Sequence, residues 1–440
     1  MEELLAVGII LLLVGVNIPS TGSIVIESKF PTGILIYGST RGKVGELLEF
    51  LLILLDQNEC EFMLYVDWDD GTNTGWKGPY FANEVVVISH TWYECGVYTF
   101  QATAECNDAY YNATFEVTIV SGDTLYVGGS GEGNYTRIQN AINDAFYGDT
   151  VFVYDDSSPY YENIDIKKKI NLIGENKETT IIDGRKKDDV IKVNWANVMI
   201  SGFTIQNSSS KNWWDAGIEI NRDKINITGN IVFSNNIGIY AQTWHSIIFD
   251  NIISNNKGYG IIAFSTYNSS IIGNNIFLNN QGIKLDLFCT CNIIVRNNIS
   301  LNNDYGINST YDNYRNTIMG NNINSNNRYG LHLHYSDNNT ITNNNISNNY
   351  LGINCGGKDN IIEKNNFIEN KRHAYISGYN LLWKNTWDSN YWDNWIGLKI
   401  KLPIVQKLPK AIFGFRGIIG LIPWINLDWN PAQEPYDIEV

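Results

Sequence analysis

Residues 338–349 read NNTITNNNISNN, and seven of these twelve are asparagine. That composition is compatible with a disordered tract. Disorder has no reason to keep a period, so the flanking sequence decides. KINITGNIVFSNN begins at Lys224, SIIFDNIISNN at Ser246, SSIIGNNIFLNN at Ser269, NIIVRNNISLNN at Asn292 and NTIMGNNINSNN at Asn316. A weaker copy, NIIEKNNFIEN, begins at Asn360. One apolar marker runs Ile231, Ile252, Ile276, Ile299, Ile323, Ile346, Phe367, in steps of 21 to 24 residues. A glycine marker runs Gly238, Gly260, Gly282, Gly306, Gly330, Gly352, in steps of 22 to 24.

Each unit holds two or three short runs that alternate apolar and polar residues between Asn and Gly turns. Such runs read as strands. No helical stripe fits inside a unit, the leucine framework of a leucine-rich repeat is absent, and a propeller blade needs about 40 residues. The pattern predicts an all-β chain dominated by a single-stranded parallel β-helix, one unit per coil. Parallel neighbours lie about 4.8 Å apart, so isoleucine stacks on isoleucine and asparagine amides stack into ladders. Asn, Asp and Gly are expected to supply left-handed corners as well. Most asparagines therefore read as structural.

The chain has 440 residues and a net charge of −15, and no Lys/Arg cluster interleaves with aromatics. A nucleic-acid partner is not expected. Leu4–Val16 is apolar and is followed by Pro19 and Ser20, as in an export signal, although Glu2 and Glu3 replace the usual basic start. Residues 1–22 are thus expected to be a signal peptide or a signal anchor, placing the protein outside the cell or on its surface. Six cysteines, Cys60, Cys95, Cys106, Cys289, Cys291 and Cys355, fall three to a region. Neither a second Cys pair nor a histidine accompanies Cys289 and Cys291 at zinc-ligand spacing. N-x-S/T sequons are frequent, Asn268 and Asn338 among them.

Residues 24–120 lack the repeat. VYTFQATA and TFEVTIV alternate as half-buried antiparallel strands, and Asp70-Gly71 marks a tight turn, which together predict a β-sandwich. Residues 121–148 read as a linker with a capping helix, since Ile138, Ala141, Ile142 and Ala145 keep helical spacing. The β-helix is expected over 149–382. The tail, 383–440, drops the period and is rich in tryptophan, including Trp383, Trp387, Trp392, Trp395, Trp424 and Trp429. It reads as a cap over the open end.

Asp67-Trp68-Asp69-Asp70-Gly71, His90-Thr91-Trp92 and Gly96-Val97-Tyr98-Thr99-Phe100 resemble a PKD-type, immunoglobulin-like domain. Ile138-Gln139, Ala141-Ile142, Gly148-Asp149-Thr150, Tyr161, Leu172-Ile173-Gly174 and Ile182-Asp183-Gly184 resemble the opening of NosD-like, pectate-lyase-like proteins. These are the carbohydrate-binding/sugar-hydrolysis repeats, and the resemblance implies a right-handed parallel β-helix. The domain order resembles that of archaeal surface proteins. The family includes polysaccharide lyases, epimerases and a copper-maturation protein, so the resemblance does not choose a reaction.

Counting two residues on from each glycine, beginning at Gly217, gives the column Glu219, Tyr240, Ile262, Lys284, Asn308, His332, Asn354. Counting four gives Asn221, Gln242, Phe264, Asp286, Thr310, His334, Gly356. Both columns are expected to point outward from one sheet. Elimination or epimerisation of a uronic acid needs a base, a stabiliser for the enolate-like charge and an acid. Lys284, Asp286, His332 and His334 are the catalytic candidates. Tyr240, Trp244, Phe264 and Tyr267 are candidates for stacking on sugar faces, or for lateral packing under a loop. No metal ligands are assigned, and no cofactor is expected, with calcium left open.

Two readings follow. One is a non-catalytic exported surface protein whose β-helix face binds carbohydrate or a cell-envelope glycan, with membrane anchoring through the N-terminal segment. The other is a polysaccharide lyase or C5-epimerase acting on an acidic glycan near Lys284–His334.

Overall fold

A computed structural model describes residues 33–55, 61–81, 84–106, 109–120, 123–378, 384–395, 408–416 and 422–438. The expected signal segment, Cys60 and Trp383 lie outside them. The chain divides into two units, the second beginning at Thr124.

The first unit is a sandwich of two sheets. Gly33–Gly38, Leu47–Leu55 and Val85–Thr91 form one. The other has five strands, with Gly96–Cys106 central between Ala109–Val120 and Glu61–Asp67. Their inner faces bury Phe50, Trp68, Trp92 and Phe100. Trp92 Nε1 donates to the Trp68 carbonyl at 3.1 Å, which satisfies the polar end of a buried ring. The Asp67–Asp70 carboxylates are spent inside the turn. Asp69 accepts from Thr99 N at 2.8 Å, Asp70 from Thr72 and His90. Hydrogen bonds thus hold each of these carboxylates in place. Cys106 is disulfide-bonded.

The second unit is a β-solenoid. Each coil carries three short strands, and every strand pairs in parallel with its counterpart in the next coil. Sheet 1 stacks Ala216–Ile220, Ile237–Ala241, Tyr259–Phe264, Gln281–Asp286, Tyr305–Tyr314, Tyr329–Asp337 and Leu351–Cys355. Sheet 2 includes Asn226–Thr228, Ile293–Val295 and Ile361–Glu363, and sheet 3 has ten strands, from Ile181–Asp183 to Tyr391–Trp392. The inward columns are almost wholly aliphatic, as in Ile227–Ile248–Ile271–Ile294–Ile318–Ile341–Ile362 of sheet 2.

Amide ladders line the corners. Between sheets 2 and 3, Asn230, Asn251, Asn274, Asn297, Asn321, Asn344, Asn365 and Asn390 follow one another with Nδ2–Oδ1 distances of 2.9–3.1 Å. Each Oδ1 also receives the backbone N–H of the preceding rung, as Asn297 Oδ1 does from Asn274. Each Nδ2 also reaches carbonyl oxygens, as Asn297 Nδ2 does to Ile271 and Val295. Ladder amides are thus buried yet fully bonded, which makes their burial tolerable. A second ladder runs from Asn256 to Asn370 between sheets 3 and 1. The third runs from Asn292 to Asn385 between sheets 1 and 2, with Ser246 and Ser269 as its first rungs.

Three details correct the sequence reading. First, the ladder asparagines do not make the left-handed corners. The residue just before each one does: Gly229, Asp250, Gly273, Arg296, Gly320, Asn343, Lys364 and Ser389 in the first ladder, where Gly, Asp and Asn take most corners as expected, and Leu278, Leu301 and Glu369 among those of the second. Positive φ costs the residues other than glycine about 1–2 kcal/mol each, and the ladder bonds hold them there. Second, the true inward column of sheet 3 is Val232, Ile253, Ile276, Ile299, Ile323, Ile346, Phe367. Ile231 and Ile252 sit one place off and point outward. Third, the coils extend past the expected limits. Thr124–Val127 already stacks on Asp149–Val153, inside the segment read as linker and helix. At the other end Trp387 and Trp392 continue the inward columns below Ile362 and Phe367.

Both ends are closed. The helix Ile138–Asp144 buries Ile138, Ala141 and Ile142 in the solenoid core. Its first N–H groups donate to the Glu162 carboxylate at 2.8 and 3.1 Å. The antiparallel hairpin Lys410–Arg416 and Ile422–Asp428 stacks one strand on sheet 1 and the other on sheet 2.

Candidate functional site

The marker glycines fix the register of sheet 1. A Cβ on Gly260 would lie 2.7 Å from the Gly282 carbonyl oxygen and 2.8 Å from Ile276 Cγ2. No side chain fits there, so the strand is pinned at that point in each coil. The two outward columns then fall in the register read from sequence: Glu219–Tyr240–Ile262–Lys284–Asn308–His332–Asn354, and beside it Phe264–Asp286–Thr310–His334. Ile262 keeps this register. It is buried on the outer face against Ala216, Ile237, Tyr240, Tyr259 and Phe264.

Lys284, Asp286, His332 and His334 therefore share one face, with a single coil between the two pairs. The Lys284 ammonium pairs with the Asp286 carboxylate at 2.8 Å. Thr310 Oγ1 reaches Asp286 at 3.4 Å. His332 Nδ1 lies 2.9 Å from Asn308 Oδ1, and its ring stacks on Tyr305 at 5.2 Å. Burial, then the nearby His334 and Arg328, push His332 down to about 4. Burial also lowers His334. Both imidazoles are neutral at pH 7, and Lys284 and Asp286 neutralise each other. The Lys284 charge within the patch is thus held by its own Asp286.

The aromatic candidates separate into two pairs. Tyr240 and Phe264 stack on each other, 6.2 Å apart, within the outer apolar cluster, which is the packing alternative. Trp244 and Tyr267 lie at the corner between sheets 1 and 2 and meet edge to face at 6.3 Å. Trp244 is 54% exposed.

Trp244 also forms part of a groove of about 620 Å³ with Asn194, Asn221, Arg222, Asp223, Gln242, Thr243 and Ser265. Its floor is a chain of amides. Asn221 Nδ2 donates to Asn194 Oδ1 at 3.2 Å, and Asn194 Nδ2 to Asp165 Oδ1 at 2.8 Å. Asp223 Oδ1 accepts from the Trp244 backbone N–H at 2.9 Å and holds the main chain at that corner. Among the described residues no side chain engages the Gln242 amide. Beside the groove, Lys192 pairs with Glu219 at 2.8 Å and Asp189 at 3.2 Å. Burial, then the hydrogen-bonded Glu219 carboxyl, push Asp189 up to about 7. Sequence reading counted Asn221 and Gln242 in its column. It missed Asn194, Arg222 and Asp189, which lie in longer loops or in coils before the strict period.

This architecture defines a right-handed parallel β-helix, and residues 189–319 match the family described as right handed beta helix region. Residues 281–397 match the periplasmic copper-binding protein (NosD) family. Among solved structures, the chain is similar to the PKD domain of an M14-like peptidase from Thermoplasmatales archaeon SCGC AB-540-F20. Identity is 31%, over 20% of this chain and 92% of that one, with a TM-score of 0.19. It is similar to the Azotobacter vinelandii mannuronan C-5 epimerase AlgE4 A-module at 17% identity, over 58% of this chain and 82% of that one, with a TM-score of 0.50. A third similarity is to DFA-IIIase from Arthrobacter chlorophenolicus A6 without its lid, at 13% identity over 61% and 94%, with a TM-score of 0.43. No curated protein matches. The second unit is thus a parallel β-helix with a NosD-like stretch over residues 281–397, and the first unit is a β-sandwich similar to a PKD domain.

The copper-binding description was tested against the donors present. Copper favours His, Met and Cys ligands. Cys289 and Cys355 are buried among core side chains, Met319 lies on sheet 2, and His373 is bonded to Asp393 and Asn370. His332 and His334 approach each other, and Asn308 holds the first. Among the described residues no three His, Cys, Asp or Glu converge. Among the described residues the donor set does not fit a copper centre, and no helix among them is long and apolar enough to cross a membrane.

Proposed function

We propose that this is an exported surface protein whose β-helix binds carbohydrate without transforming it, through the Trp244 groove on sheet 1. The observation that carries the reading is the pairing of an exposed indole with an amide floor. An indole face packs against the C–H face of a pyranose, and amide groups bond its hydroxyls. Arg222 and Asp223 contribute opposite charges, so the groove suits a neutral or weakly charged glycan. The net charge of −15 disfavours polyanions. The PKD-like domain then serves as a spacer or adhesion unit.

The test is proton NMR of the chain with neutral and uronate-containing polysaccharides, with and without calcium. Saturation transfer to a glycan, lost in Trp244→Ala, is the expected result. Transfer that survives Trp244→Ala overturns the groove. New unsaturated or epimer signals overturn the non-catalytic reading in favour of a lyase or C5-epimerase. The shared face of Lys284, Asp286, His332 and His334 is the observation behind that second reading.

A further inference from the structure

Nine N-x-S/T sequons lie along the chain, and their surroundings differ sharply. Attachment of a glycan needs an asparagine amide that an enzyme can reach and turn, and an accessible hydroxyl two residues on. Five of the nine fail at the amide nitrogen. Asn134 Nδ2 donates to the Gly128 carbonyl at 2.6 Å, Asn207 Nδ2 to Asp183 Oδ2 at 2.8 Å and Asn308 Nδ2 to Gln281 Oε1 at 3.0 Å. Asn298 and Asn345 donate within an outer amide ladder on sheet 3, to Asn275 Oδ1 at 3.0 Å and Asn322 Oδ1 at 3.1 Å. Two more stand inside paired strands. Asn226 has a buried amide oxygen, and Asn112 Oδ1 is held by Gln101 Nε2 and Thr103 Oγ1.

Asn268 and Asn338 are built differently. Both are exposed, and among the described residues neither amide group is hydrogen-bonded. They share one corner between sheets 1 and 2, three coils apart, with φ +49 and +54. Their backbone N–H groups donate to the Thr290 and Lys358 carbonyls, so each side chain leaves from a fixed base. The residue that follows turns inward, and Ser269 and Asn339 accept or donate in the third ladder. The next residue turns outward. Ser270 and Thr340 open strands of sheet 2 in one stacked column, half-buried, and among the described residues neither hydroxyl is engaged. Intervening and neighbouring coils place Ile293 and Ile247 in that column. The same acceptor geometry, with the amide outside, a rung inside and a hydroxyl outside, is thus present twice.

We propose that Asn268 and Asn338 are the N-glycosylation sites of this protein. Nδ2 of each forms a bond to the anomeric carbon of an oligosaccharide carried on a polyprenyl pyrophosphate. The bond from that carbon to the pyrophosphate oxygen breaks, the polyprenyl pyrophosphate leaves, and the amide nitrogen gives up one proton. The assignment rests on the reading of the chain as an exported surface protein, because the sequon is used on export. Three coils at about 4.8 Å put the two glycans about 14 Å apart along one edge of the solenoid.

Two preparations of the full chain test it. In the first, the folded protein is incubated with a purified single-subunit oligosaccharyltransferase and a polyprenyl-pyrophosphate-linked oligosaccharide, and glycopeptide mass spectrometry reads every sequon. The expected result is transfer to Asn268 and Asn338 ahead of the other seven. Asn268→Gln and Asn338→Gln should each lose one glycan, and Thr340→Ala should lose the glycan of Asn338 with its amide intact. Circular dichroism melts show that each variant folds. Greater occupancy at another sequon, or a bare folded chain while an unstructured sequon peptide reacts, overturns the assignment. In the second, the chain is produced with its own residues 1–22 in a glycosylating secretory host. Exported protein carrying both glycans supports the proposal, and exported protein bare at both positions overturns it. A bare chain retained inside the cell, with transfer in the first preparation intact, counts against export and leaves the two acceptors supported.

Discussion

Asn390 Nδ2 lies 3.0 Å from Asp428 Oδ2, and the same oxygen receives the Asn390 backbone N–H and Trp392 Nε1. Every rung of that ladder donates toward the C-terminal end, so its last donors emerge there. A carboxylate takes them, as an anion takes the free N–H groups of a helix N-terminus. Asp428→Ala would orphan two buried donors, the Asn390 N–H and Trp392 Nε1, while Asn390 Nδ2 keeps the Ile362 and Asp388 carbonyls. The expected loss is about 3 kcal/mol or more, with hydrogen exchange rising first over 386–392. Asp428→Asn keeps an acceptor and should cost less. Chemical denaturation of both variants checks the order.

A rung in mid-ladder behaves differently. Asn297→Asp keeps the acceptor for Asn274 but loses the donations to Ile271, Val295 and Asn321. It also sets a carboxylate against three oxygens. The variant should lose about 3 kcal/mol at neutral pH. Protonation restores a donor, so the deficit relative to wild type should shrink on acidification. Urea unfolding of both proteins at pH 7 and pH 4 measures it.

Glycines at two kinds of position should respond unequally to alanine. Gly282→Ala puts a Cβ 2.5 Å from the Gly306 carbonyl oxygen and 2.7 Å from Ile299 Cγ2. Overpacking of this kind costs about 1–3 kcal/mol, and here the clash is with backbone. Gly229 has φ +62 and nothing within 4 Å of its Cβ position. Gly229→Ala meets only the left-handed penalty, about 1 kcal/mol. Equal melting temperatures for the two variants would contradict this account.

His332 makes stability depend on pH. Its folded-state value, about 4, lies below the unfolded value near 6.5. Between the two the unfolded chain binds more protons. The His332 contribution is thus complete above about pH 6.5 and is lost as pH falls toward 4. The full effect is on the order of 3 kcal/mol. His332→Gln should flatten the profile in that window, as read by unfolding free energies from pH 7 to 4.

Ser269 stands one rung ahead of the first asparagine of the third ladder. A cavity of about 20 Å³ lies beside it, lined in part by Ser246, Ala241, Ala263 and Asn292. Ser269→Asn fills that space and adds a rung whose Nδ2 faces Asn292 Oδ1. The variant should be stabilised by about 1 kcal/mol, with a higher melting temperature at neutral pH.

The parts of this protein legible in its sequence are those where one residue type has one job. Glycine at 238, 260, 282, 306, 330 and 352 admits no substitute, so it set the sheet 1 register correctly, Ile262 included. Isoleucine was less secure a guide. Ile231-Val232 and Ile252-Ile253 place apolar residues on both faces, and a one-residue slip reverses a strand. The corners were legible in part: Gly229, Asp250, Gly273, Gly320 and Asn343 fit the expectation, while a strong ladder also holds Arg296 and Leu278 at positive φ. Trp387 and Trp392 hid the last coil by standing where isoleucine stood before. The groove was half visible, since Asn221 and Gln242 keep the period while Asn194, Arg222 and Asp223 do not announce a shared wall.

The hand-over of amide to amide also governs how such a chain can change in length. Each rung asks of its neighbours only an acceptor on one side and a donor on the other. A whole coil, for example residues 298–321, can be removed or copied and every remaining junction still closes. Coils of 21, 23, 24 and 25 residues all close the same ladder, so the loops of a coil absorb single residues while the rungs stay in step. The number of rungs therefore grows only in complete turns, and the outward columns and loops are free to diversify on that frame.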